Sequence, residues 1–114
     1  MKPIQILSES AAVGTRLKDI LYQDGFADIR LSDLSAIPDM LPDAVLIVYA
    51  KSNISGLMHQ LSHRGGSIIL LLNPDCYALY LDRARHCGIT LLLMPVAPFT
   101  LLEAVEKAVR PSAF

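Results

Sequence analysis

A chain of 114 residues with a net charge of −1 and 53% apolar residues is sized for one domain around one continuous core. No run reaches the ~18 uninterrupted apolar residues of a membrane helix. Lys and Arg are scattered and form no basic stripe of the kind a phosphate backbone requires. A single domain over residues 1–114 is therefore expected, with no membrane span and no direct nucleic-acid contact.

The chain enters its first apolar run at Ile4–Leu7, with Gln5 inside it. That run is too short for the apolar core of a signal peptide, so a cytoplasmic location is expected. It reads as a strand. Ser8 or Ser10 can then cap a helix whose inward stripe is Val13, Leu17, Ile20 and Leu21, closed by Gly25. Ala27–Leu31 alternates, with Ile29 and Leu31 set against Asp28 and Arg30, as a half-exposed edge strand does. A short second helix carries Leu34, Ile37, Met40 and Leu41, and ends at Pro42.

Ala44–Ala50 is apolar throughout, the pattern of a strand covered on both faces. Ile54, Leu57, Met58 and Leu61 follow at helical spacing, and Gly65-Gly66 stops that third helix. Ser67–Leu72 is the next buried strand. Tyr77, Leu81 and Ala84 mark the inner face of a fourth helix ended by Gly88. Cys76 and Cys87 stand near its two ends, about 16 Å apart at the helical rise, so they are expected as free thiols. Ile89–Met94 is the fifth strand. Pro98 opens a last helix with Leu101, Val105 and Ala108 inward, and Pro111 ends it.

Alternating strands and helices imply a doubly wound α/β domain: a parallel sheet with helices on both faces. In such sheets a site forms beyond the carboxyl ends of the strands, where the strand order reverses.

At those ends the sequence resembles the receiver domain of two-component response regulators, over nearly its whole length. Pro42-Asp43-Ala44-Val45-Leu46-Ile47-Val48 resembles the family's third-strand signature, in which a phosphorylated Asp follows Pro-Asp and four mostly apolar residues. Gly56 stands eight residues beyond Val48, as the family's glycine does beyond its Asp. Met94-Pro95-Val96-Ala97-Pro98-Phe99 resembles the family's Lys-Pro turn into the last helix. Ala84 and Gly88 match its small-residue pair. The stretch from Gly88 to Met94 departs from the family by being one residue shorter. The resemblance implies five parallel strands in the flavodoxin-like order 2-1-3-4-5.

Carried over by position, the family's acidic pair becomes Ser8-Glu9 and its nucleophile Val48. Its hydroxyl residue becomes Leu72, its Lys becomes Met94, and its switch aromatic on strand five becomes Leu91. Only Glu9 keeps its chemical type. An isopropyl group cannot attack phosphorus, and one carboxylate beside a hydroxyl makes a poor Mg²⁺ site. The resemblance therefore implies a degenerate receiver, with no enzymatic activity, no cofactor and no metal, whose apolar replacements seal the crevice. Such domains commonly act through the face made by the fourth helix, fifth strand and fifth helix, toward a sensor, an output domain or a second copy. The receivers of amide-responsive antiterminators are comparably degenerate.

On that face Phe99 points about 160° from Leu101 around the last helix, with Leu102 and Val109 on its flank. Together with Leu79, Leu91 and Val96 these residues form the expected interface. A rival reading is a small-molecule or nucleotide site built from Ser8, Glu9, Ser10, Lys51, Ser52 and Asn73 at the strand ends. His59 and His63 have the i, i+4 spacing of a metal pair, but no Cys or carboxylate accompanies them on their helix. Cys76 near a helix N-terminus offers the sole hint of an enzyme. The turn Arg64-Gly65-Gly66 lacks the pattern of a phosphate loop and reads as a helix stop.

Overall fold

A computed structural model describes residues 3–34, 44–62 and 67–109. Five strands, β1 (Ile4–Ser8), β2 (Ile29–Ser32), β3 (Val45–Tyr49), β4 (Ile68–Leu72) and β5 (Thr90–Leu93), form one sheet. All pairings are parallel and the order is β2-β1-β3-β4-β5, the flavodoxin-like order. Four helices, α1 (Ala11–Gln23), α2 (Ile54–Ser62), α3 (Pro74–His86) and α4 (Pro98–Val109), are described with it. The predicted helix through Leu34, Ile37, Met40 and Leu41 lies outside the described residues beyond Leu34, as do Gly65-Gly66 and Pro111. The predicted fourth and fifth helices are thus α3 and α4.

Period-two alternation divides the strands between two apolar layers. Ile4, Ile6, Val45, Ile47, Tyr49, Ile69 and Leu71 pack with Leu17 and Leu21 of α1 and with Leu101 and Val105 of α4. Leu7, Leu46, Val48, Leu70 and Leu72 face the other way, onto α2 and Ala84 of α3. Helices therefore cover both faces. β1, β3 and β4 are buried at every position, as central parallel strands must be.

The helix ends follow from local chemistry. Of the two serines that precede α1, Ser10 is the cap: its Oγ accepts from the Val13 amide at 3.3 Å. Ser8 braces the cap from behind, its Oγ donating to the Ser10 carbonyl at 2.7 Å and accepting the Ser10 amide at 3.1 Å. Gly25 and Gly88, at φ +97° and +72°, take the left-handed turns that close α1 and α3. In β2, Ile29 is buried but Leu31 is exposed, contrary to the alternation. Leu31 lies over Gly14, which puts no side chain above it: a Cβ there would come within 2.7 Å of Leu31 Cδ1.

α3 differs most from expectation. Of its stripe only Ala84 is buried, and Tyr77 and Leu81 are half-buried. Cys76 and Tyr80 make the remaining apolar contacts with the layer beneath. The inward face is rotated because Cys76, Tyr80 and Ala84, spaced by four, are what the helix lays against the sheet.

Candidate functional site

Register decides what stands at the carboxyl ends of the strands. Leu7, Val48, Leu70 and Leu91 form one rung, and Ser8, Tyr49, Leu71 and Leu92 the next. Leu72 and Leu93 pair on the rung above. Val48 thus lies two rungs below Leu72, roughly 6.6 Å down the strand. Both side chains are fully buried against α2 and α3, whereas Met94 packs on the opposite layer under α1 and α4. Val48, Leu72 and Met94 therefore do not together seal one crevice, contrary to expectation: strand alternation puts Val48 and Leu72 in one layer, two rungs apart, and Met94 in the other.

What gathers at the strand ends is polar, and much of it is bonded internally. Glu9 leaves β1 with its amide on the Tyr49 carbonyl at 3.0 Å. Its carboxylate then turns to the loop after β3. Oε1 accepts the Lys51 amide at 2.9 Å and the Ser52 amide at 3.1 Å, and the Ser52 hydroxyl reaches Oε2 at 3.3 Å. Burial acts to raise the Glu9 pKa, but these amides, the hydroxyl and the Lys51 charge outweigh it and hold the group below its ordinary value.

The same loop is fixed at its far side. Asn53 takes a left-handed conformation, φ +53°, and its carbonyl accepts the Leu57 amide to start α2. Its side chain sits over Gly56, where a Cβ would meet Asn53 Oδ1 at 3.0 Å. Across the crevice the Tyr49 hydroxyl donates to Asn73 Oδ1 at 3.3 Å. Tyr49 and Asn53 were not singled out from the sequence. Tyr49 was legible as the one residue with a polar tip in an otherwise apolar strand.

Of the other sequence candidates, His59 is exposed and His63 lies outside the described residues. Among the described residues no group of three His, Cys, Asp or Glu side chains is placed to hold a metal ion. Cys76 is half-buried and Cys87 exposed, both as free thiols. No helix among the described residues is long and apolar enough to cross a membrane.

On the expected interface the structure separates two kinds of residue. Leu79 and Phe99 stand out, at 76% and 75% exposed. Val96 is buried against the α1–α4 layer, which removes it from any surface. Leu102 and Val109 are half-buried on that layer, and Leu91 on the layer beneath α3. Leu93, passed over in the sequence, is 46% exposed at the end of β5. Its position was readable, since it shares the parity of Leu91 on a strand at the sheet's edge. No family model matches the chain, and no curated protein sequence matches it.

Proposed function

We propose that this chain is a receiver-like regulatory module in signal transduction or gene regulation that works without phosphorylation. It acts by protein contact through α3, β5 and α4, toward a sensor, an output domain or a second copy. One observation carries the surface. Of the five large hydrophobic residues exposed among the described residues, three (Leu79, Leu93 and Phe99) fall on α3, β5 and α4. Single exposed apolar residues are ordinary, but grouping on consecutive elements marks a contact surface.

The phosphorylation-independent part rests on the resemblance and on side-chain chemistry. The positions that match the family's nucleophile, hydroxyl and Lys are Val48, Leu72 and Met94, and the matching acid, Glu9, has its carboxylate bonded to the next loop. The rival small-molecule site gains little from the same geometry, because the Glu9 carboxylate is taken up by the Lys51 and Ser52 amides and the Ser52 hydroxyl, and Asn73 Oδ1 accepts from Tyr49.

The test is Phe99→Glu. At 75% exposed, Phe99 contributes little to the core, so the melting temperature is expected to stay within about 2 °C of wild type. Association, whether with itself or with a partner captured on the wild-type protein, is expected to weaken by about tenfold or more. Undiminished association in a folded Phe99→Glu protein overturns the assignment of this face.

A further inference from the structure

The two edges of the sheet differ in chemistry. β2 carries the exposed Arg30, with the exposed Asp33 just beyond its end. Charges on an edge are a common guard against strand addition. β5 reads Thr90-Leu91-Leu92-Leu93, with no charge and no proline. Its two end residues are exposed and its middle pair half-buried.

The direction of its backbone groups follows from one bond. The Met94 amide donates to the Leu72 carbonyl at 2.9 Å, on the β4 side. Backbone groups alternate along a strand, so those of Leu92 and Met94 face β4 and those of Leu91 and Leu93 face outward. α4 packs chiefly over β3 and β4 and against α1, and leaves an open groove beside β5 lined by Ile69, Leu92, Thr100 and Ala104 together with the ion-paired Glu103 and Lys107 of α4.

We propose that the outer edge of β5 pairs antiparallel with the β5 edge of a second copy, about a two-fold axis at Leu92, joining two sheets into one. This rests on the reading that α3, β5 and α4 form the working face. The occupant is a second copy because the edge is complementary to itself. Rotation about Leu92 sets Leu91 opposite Leu93 of the other copy, twice. Those are the residues whose free N–H and C=O aim outward, so each pair closes a ring of two hydrogen bonds. The same rotation lines Leu91 and Leu93 of both copies into one apolar row on the α3 side. No charge within the paired strands meets a like charge. The equivalent operation at β2 brings Arg30 of one copy close to Arg30 of the other, which disfavours pairing there.

Equilibrium sedimentation of the whole chain tests this, with melting curves alongside. Wild type is expected to dimerise, and Leu93→Lys to raise the dissociation constant about tenfold or more while melting as wild type does at concentrations where both are monomeric. Register has its own readout. In a chain with Cys76 and Cys87 replaced by serine, Leu92→Cys is expected to form an intermolecular disulfide under mild oxidation, since Leu92 faces its own copy. Thr90→Cys is expected not to, because Thr90 lies four rungs from its copy. A wild type that stays monomeric at high concentration overturns the pairing and leaves the face to a different protein. A dimer that Phe99→Glu dissolves and Leu93→Lys does not overturns strand pairing while sustaining the face. A dimer indifferent to both sinks the two together. Should Leu92→Cys fail to fold, the Leu93→Lys result decides alone.

Discussion

Glu9 joins two strand ends with one side chain, and its carboxylate is what the loop after β3 is built around. Because its folded pKa is depressed, its contribution is fully present above the unfolded value and is lost as pH falls through the folded one. Glu9→Gln is therefore expected to flatten the pH dependence of stability across the acid side of the carboxylate range. At neutral pH the loss should be about 1 kcal/mol, since charged acceptors contribute more than neutral ones but this one is largely solvated. Thermal melts at stepped pH check it, and identical acid limbs in wild type and Glu9→Gln would exclude the tie. Glu9 itself was legible, because a carboxylate directly after the first strand stands out in a switch-point reading. That Lys51 and Ser52 share its strand end was legible too, but not that their backbone amides hold the carboxylate, since which amides lie within reach depends on how β3 turns into α2.

At the scale of elements, what could be read tracks how many faces are covered. β3 and β4 are covered on both sides, so an unbroken apolar run identified them and nothing competed with that reading. β5 is nearly as apolar in sequence yet partly exposed, because an edge strand has one neighbour and only Thr90, at its start, records that fact. α3 was placed correctly and rotated wrongly: its polar composition leaves a weak stripe, and Tyr77 and Leu81 competed with Cys76 and Tyr80 for the inward face. With Ala84 as its sole buried residue, α3 has little apolar area holding it down. Native-state hydrogen exchange is expected to open α3 at lower free energy than α2, which buries Ile54, Leu57, Met58 and Leu61. Equal protection of the two helices would show that α3 is anchored by more than its burial, with the Arg83 to Ser55 hydrogen bond at 2.8 Å the first place to look.

For the molecule as a whole, order 2-1-3-4-5 was legible because alternation of elements, right-handed crossovers and the resemblance pointed to one topology. The carried-over site was less so. Position-by-position transfer names Val48 and Leu72, but register places them two rungs apart inside one layer, with Met94 in the other. A constellation that depends on which way each strand end points cannot be read from spacing alone.

At the carried-over positions, Val48, Leu72 and Met94 bring neither an oxygen nucleophile nor an oxygen ligand. Incubation with acetyl phosphate is expected to leave the intact mass unchanged, because Val48 offers no nucleophile and the neighbouring Tyr49 hydroxyl is turned toward Asn73. Mg²⁺ gives the sharper measurement. A specific site at 100 times its Kd stabilises by ~2.7 kcal/mol and moves the melting temperature of a domain this size by several degrees. Glu9 is already held by two amides and a hydroxyl, and Mg²⁺ demands near-octahedral oxygen ligands, so a few millimolar should leave the transition where it is. The control is sodium chloride at matched ionic strength, which separates screening from binding. A magnesium-specific rise in melting temperature that disappears in Glu9→Gln would mean that Glu9 exchanges its loop amides for the ion, and that the domain keeps a metal-dependent switch.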